Sequence, residues 1–210
     1  MLMQLLTTIL TFIEQQLIAP LSAAWAHWRL AGELQVLKAA QFVVEAPEES
    51  ISESRLEELE KDFEDELQRS YRIVEKGRAG LFMIGVTIAL IATILNYPSS
   101  RTFGRVEVIV LLSAVGCLVL SAMCLTVAVN IRERFGTYLD DLIKAEGERL
   151  TIIQISKQQK VLSFYRYGKL NQTIATIVAN YVAASYVGIR NGIVLIALFF
   201  AIDVIRHHWK

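Results

Sequence analysis

Arg190, Asn191 and Asp203 have the strongest claim to chemistry in this sequence. They fall within or beside long apolar stretches, where a polar group is costly and commonly functional. An arginine there can line a wet pathway or answer a carboxylate of another subunit. Asp203 lies thirteen positions after Arg190, too far along one helix for direct contact. The plainer reading puts both at the two interfaces of a short span. Asn180 and Thr87 are weaker instances of the same kind. Ser113, Ser121 and Thr126 are expected to bond back to helix carbonyls.

Catalytic and metal chemistry find little support. His207 and His208 are adjacent near the end of the sequence, and His27 stands between two tryptophans. No Cys, His and carboxylate set has zinc spacing. Cys117 and Cys124 are seven apart on one helix face, so they cannot bridge each other, and buried cysteine behaves as a small apolar residue. Asp140 and Asp141 with Glu146 and Glu148 read as a solvated face. Phosphate-binding glycine loops, metalloprotease motifs and nucleophile elbows are missing. The expectation is a protein that is not an enzyme and that needs no cofactor or metal.

The elements that would position the polar residues are set by hydropathy. Of the 210 residues, 54% are hydrophobic and 20% charged, against about 45–50% and about 25% in soluble domains. With 3 Pro, 11 Gly and 2 Cys, collagen, disorder and a disulfide scaffold are excluded. Residues 79–100 carry no charge, with Tyr97 and Pro98 at the end. Residues 108–131 form a second uncharged run. Each suffices for a bilayer crossing, which needs about 20 apolar residues. The short link SSRTFGRVE makes them a hairpin.

A third run covers 170–189 and 192–202, interrupted by Arg190 and Asn191. It admits a single tilted crossing, two half-crossings bent at Arg190–Gly192, or a cytosolic or interfacial helix leading into one crossing. A single crossing in its carboxyl-terminal part is favoured. Small residues recur there every four positions, in the rows Ala175, Ala179, Ala183 and Ala184, Gly188, Gly192. Gly188 and Gly192 fit the spacing that lets membrane helices approach closely, within or between subunits. Chance in an Ala-rich helix is the plain alternative.

Residues 1–28 carry the single charge Glu14 and a polar stripe at Gln4, Thr7, Thr8, Thr11, Glu14 and Gln15. That pattern predicts an interfacial or bundle-bound helix rather than a span. Trp25, His27 and Trp28 read as an interfacial cluster. A signal peptide fits poorly, since no basic segment precedes the apolar stretch.

Residues 45–66 hold eleven acids and two bases, so the segment is −9 and the remainder +9. No segment is basic enough for a nucleic-acid footprint, and no nucleic acid is expected. Ser52 or Ser54 can cap a helix running to Val74, with Glu57 completing a capping box for Ser54. Leu56, Leu59, Phe63 and Leu67 form a narrow seam of coiled-coil type. Glu57, Glu58, Asp62 and Asp65 flank it, which makes these eight residues candidates for cytosolic interaction. No proline separates this helix from the first apolar run, so one rod is expected.

Residues 131–162 are predicted to form a second amphipathic arm, antiparallel to the first. The acidic 45–66 segment would then meet Lys157, Lys160, Arg166 and Lys169. Phe164, Tyr165 and Tyr167 mark a return to the interface.

Arg69, Arg72, Lys76, Arg78, Arg132 and Arg134 flank the hairpin on one side and Arg101 and Arg105 lie within it. The positive-inside rule therefore puts both arms in the cytoplasm. A single third crossing would place the basic tail from Arg206 outside, against the same rule.

The stretch YRIVEKGRAGLFMIGVTIALIATIL through LLSAVGCLVLSAMCLTVAV, with its arms over roughly residues 53–160, resembles in layout the small two-span effector modules of bacterial anti-phage systems, the SLATT-like type. The resemblance implies a membrane effector in antiviral defence. The third segment departs from its simplest form.

The sequence is thus read as an all-α integral membrane protein: a transmembrane hairpin, a third carboxyl-terminal membrane segment, and amphipathic cytosolic helices forming a small bundle. Its parts are 1–44, amphipathic or interfacial amino-terminal helices; 45–77, an acidic cytosolic helix; 78–131, the hairpin; 132–169, a cytosolic amphipathic helix; and 170–210, the last membrane segment and tail. The functional expectation is a homo-oligomer that conducts through or perturbs the bilayer, gated by its arms, in a bacterial inner membrane. The alternative is a non-conducting scaffold or accessory subunit that recruits a soluble cytosolic partner through the acidic helix.

Overall fold

The computed structural model describes residues 2–40, 51–95, 103–131, 143–146, 149–152 and 156–208. Side-chain surroundings are described from Ile18 onward, except at 94, 95, 143–146, 149–152, 207 and 208. Four helices dominate the described residues: α1 (Leu2–Ala39), α2 (Glu53–Leu95), α3 (Arg105–Asn130) and α4 (Lys157–His208). Three of them, α2, α3 and α4, are long and apolar enough to cross a membrane, as expected of a membrane protein.

The helix running into the first apolar stretch is found as expected, with α2 unbroken over 43 residues. Its cap is Ser52, whose Oγ accepts from the amide of Arg55 at 3.3 Å. Ser54 instead shares a hydroxyl contact with Ser52 at 3.1 Å, so the Ser54–Glu57 capping box is not the one used. The buried seam of α2 is longer than its apolar stripe suggests. Leu56, Phe63, Ser70, Gly77, Ile84 and Ile91 are all buried and fall seven apart. A seven-residue spacing keeps one face toward its neighbours over many turns. In α3 the same spacing buries Glu107, Ala114, Ser121 and Ala128.

Helix α1 runs through Pro20 as one helix of 38 residues, where separate helices were expected. Helix α4 continues without a break through Arg190, Asn191 and Gly192 for 52 residues, so no interruption is found where two half-crossings would bend.

The helix expected over 131–162 is not what forms at 143–152. Strands β1 (Ile143–Glu146) and β2 (Arg149–Ile152) pair antiparallel, with Ile143 opposite Ile152 and Glu146 opposite Arg149. Thr151 and Ile152 are β-branched and favour a pleated conformation over a helix. Asp140 and Asp141 lie outside the described residues.

The chain divides into two compact units. One comprises Met1–Ala26, Val74–Asn130 and Val178–Lys210, the other His27–Ile73 and Ile131–Ile177. The first holds 11 of the 42 charged residues and the second 31, so they are called the apolar and the charged unit.

In the apolar unit α3 runs antiparallel to both α2 and α4. Gly80 of α2 and Gly188 and Gly192 of α4 lie against Leu125, Ser121 and Leu118 of α3 in that order. The outward face of this unit is apolar, with Phe82, Leu112 and Met123 at 73%, 65% and 61% exposure. Water penalises such a surface, and lipid does not. In the charged unit α2 and α4 run parallel, with Lys157 Nζ 3.0 Å from Glu53 Oε1 and the rings of Phe63 and Phe164 5.8 Å apart. Among the described residues, the acidic helix therefore has a parallel neighbour and not the expected antiparallel one. The partner of the acidic helix is the start of α4, which leads onward through α4 in the same direction as α2.

Candidate functional site

The polar residues of the apolar unit are positioned by small side chains. A Cβ at Gly188 would stand on the Ser121 side chain and 3.1 Å from the Cys117 carbonyl oxygen. At Gly192 a Cβ would meet Leu118 at 3.0 Å, and at Gly80 it would meet Leu125 at 2.8 Å. Helix α3 approaches both α4 and α2 closely because these positions carry no side chain. The Gly188 and Gly192 pair thus serves packing within one chain.

Ser121 Oγ donates to the Cys117 carbonyl at 2.8 Å, and Thr126 Oγ1 to that of Ala122 at 2.8 Å. Thr87 does the same toward Met83, and Ser185 toward Val182. These hydroxyls are satisfied along their own helices. Cys117 and Cys124 are free and buried on the same side of α3.

Arg190 is on the exposed side of α4, and its Nε donates to Asn191 Oδ1 at 3.3 Å. Asn191 is buried, with Nδ2 lacking a hydrogen-bond partner among the described residues. Asp203 is buried near the end of the same helix. The structure therefore brings Arg190 and Asn191 together and leaves Asp203 apart from them.

A further polar pair escaped the sequence reading. Glu107, in the first turn of α3, has a side chain only 2% exposed, and its Oε2 lies 2.8 Å from Arg206 Nη1. The same oxygen accepts from the amide of Gly104. Glu107 thus closes the start of α3 in the manner of a capping-box acid and holds the end of α4. The rings of Phe103 and Phe199 lie 5.6 Å apart, tilted by 49°. The available signal was a lone acid opening an apolar run. Its partner lies 99 positions away, so spacing could not reveal it.

In the charged unit Leu56 and Phe63 are buried, and Leu59 and Leu67 half-buried. Glu57, Glu58, Asp62 and Asp65 are exposed, and Glu58 pairs with Arg55 at 3.2 Å. Lys157 holds the Glu53 carboxyl below its ordinary 4.5, first by the hydrogen bond and then by charge attraction. Arg166 Nη2 donates to the Lys38 carbonyl at 2.7 Å, which fixes the end of α1 against α4. A cavity of about 470 Å³ opens between α2 and α4 over the Phe63 and Phe164 rings.

No group of three or more His, Cys, Asp or Glu among the described residues could hold a metal ion. Comparison with protein-family models, curated proteins and solved structures gives no match.

Proposed function

We propose that this chain is a multi-pass membrane protein whose homo-oligomer conducts through or perturbs the bilayer under control of its charged unit. The observation that carries the reading is the seam of α2. Buried positions recur every seven residues from Leu56 to Ile91 in a single helix without proline. A rotation or shift of that helix at Leu56 and Phe63 is felt at Ile84, because packed helices move as rigid elements. Arg190, on the exposed side of an apolar stretch of α4, is the candidate group for a polar pathway.

Orientation rests on the distribution of bases in the sequence: Arg69, Arg72, Lys76, Arg78, Arg132 and Arg134 flank the apolar hairpin, and Arg101 and Arg105 lie within it. Six bases against two favour cytoplasmic arms in a bacterial inner membrane. The layout shared with two-span defence effectors adds the antiviral role to this reading by analogy alone.

The test is purification in mild detergent, mass determination of the particle, and ion or dye flux in liposomes for wild type and Arg190→Ala. A defined oligomer whose flux changes with Arg190→Ala supports the proposal. A monomer without flux overturns it.

A second reading is favoured by the exposure of Glu57, Glu58, Asp62 and Asp65. On it, the acidic face of α2 recruits a soluble cytosolic partner to a non-conducting scaffold. Replacing the four by their amides would then abolish recruitment and leave flux absent throughout.

A further inference from the structure

Arg206 forms one wall of a cavity of about 390 Å³ in the apolar unit, between the start of α3 and the last turns of α4. Arg105 and Val106 line it from α3, Ile202 and Ile205 from α4. The volume lies in the range of small-ligand sites, about 300–1,000 Å³. Gly104 makes room for the guanidinium of Arg206, since a Cβ there would stand 2.7 Å from Nη1. Glu107 holds the same nitrogen at 2.8 Å.

Burial sorts the charges at this end by sign. Among the described residues at 103–107 and 199–206, the charged side chains are Arg105, Glu107, Asp203 and Arg206. Both acids are buried. Both arginines reach the surface, Arg105 fully and Arg206 in part. The face offered to a partner is therefore cationic. A guanidinium carries its N–H donors in a planar fork that matches phosphate oxygens.

Hydropathy sets the depth. An uncharged run begins directly after Glu107, and another, 192–202, ends at Asp203. In a chain that crosses a bilayer, the cavity then lies where hydrocarbon gives way to headgroups. Val106 and Ile205, 62% and 60% exposed, flank the arginines with surface that water penalises and acyl chains do not. A soluble anion would leave that surface uncovered. A phospholipid covers both parts, its phosphate on the arginines and a chain along Val106, Ile202 and Ile205. Basic pockets between membrane helices take anionic headgroups in this way. With both acids buried, no exposed carboxylate among the described residues at this end answers the cation of a zwitterionic headgroup.

We infer that this cavity binds an anionic phospholipid, with Arg105 and Arg206 on its phosphate and Glu107 positioning Arg206. The inference rests on the membrane-spanning part of the proposed function and does not need the chain to conduct.

The test uses the full chain in non-ionic detergent micelles. Phosphatidylglycerol and phosphatidylcholine of equal chain length are titrated in, and retained lipid is counted by native mass spectrometry. One saturable phosphatidylglycerol site is expected, at least about fivefold tighter than phosphatidylcholine, the scale of one arginine acting on anionic lipid. Arg105 is exposed, so Arg105→Gln leaves the fold intact and is expected to remove about that factor. Arg206→Lys keeps a charge beside Glu107 but loses the fork, and is also expected to weaken binding. Arg78→Gln, at the opposite end of the apolar unit, is expected to leave affinity unchanged. Equal affinity for the two lipids, retention that does not saturate, or equal effects of Arg105→Gln and Arg78→Gln would overturn the inference. Displacement of the lipid by about 1 mM glycerol phosphate, a weak soluble ligand, would assign the cavity to a soluble phosphate and overturn it as well. A chain that stays soluble without detergent would fail the membrane reading itself, whereas a detergent-dependent chain without the lipid site would fail this inference alone. Flux is read separately in liposomes, so conduction and lipid binding can be lost independently.

Discussion

Arg206 Nη1 stands 2.8 Å from Glu107 Oε2, although 99 positions separate the two residues in the chain. Through this contact the last turns of α4 are tied to the first turn of α3. Glu107 is almost wholly enclosed, while Arg206 remains 32% exposed. The two ends of the pair therefore respond differently to loss of the other.

Arg206→Gln is expected to destabilise the protein by about 3–5 kcal/mol, because it removes the charge that balances an enclosed carboxylate. Glu107→Gln keeps the shape, and the arginine can reach toward water, so about 1 kcal/mol is expected. Denaturant titration of the two variants in detergent micelles checks the order. Equal effects would contradict the asymmetry of burial.

Gly188 gives a steric test. Gly188→Ala drives a methyl group into Ser121 and should cost about 1–3 kcal/mol. Ser121→Ala in the same chain removes the nearest atom and is expected to restore part of that loss, a coupling typical of residues in contact. Gly116, with nothing within 4 Å of its Cβ position, serves as the control. Gly116→Ala should be neutral or gain about 1 kcal/mol from helix propensity. Thermal unfolding of the three variants reads all of these.

Phe63→Ala is expected to cost about 3–5 kcal/mol, the usual loss for a buried ring. Phe63→Leu should cost distinctly less, since it refills most of the space. Amide exchange in residues 53–73 and 157–177 is the readout, with faster exchange expected on both helices.

Glu53 supplies a pH test. Its carboxyl is held low by Lys157, so the folded form binds its proton less readily than the unfolded chain. The contribution is present above the ordinary value of 4.5 and is lost as pH falls through the lowered folded value. Carboxyl NMR of Lys157→Met should show Glu53 titrating at higher pH than in wild type. An unmoved titration would remove Lys157 as the cause.

Much of the architecture can be read from local pattern. Charge-free runs at 79–100 and 108–131 correspond to the second half of α2 and to α3. The absence of proline between residues 52 and 95 lets α2 continue, and Ser52 marks its start. The Leu56, Leu59, Phe63 and Leu67 stripe identifies the buried side of the charged half. Each of these signals lies within a few turns of one helix, where periodicity and capping act directly.

The rest required the tertiary structure. Past Leu67 the seam passes through Ser70 and Gly77, which hydropathy cannot distinguish from a solvent face. Beyond Gly80, α2 is apolar on all sides, so no stripe marks the packed one. Whether α2 met its partner parallel or antiparallel depended on α4 running unbroken from Lys157, and the β-hairpin at 143–152 displaced the expected second arm. Gly188 faces Ser121, and Arg206 faces Glu107, because three helices settle into one register. That register is a non-local balance of close packing and charge pairing, and no single segment encodes it.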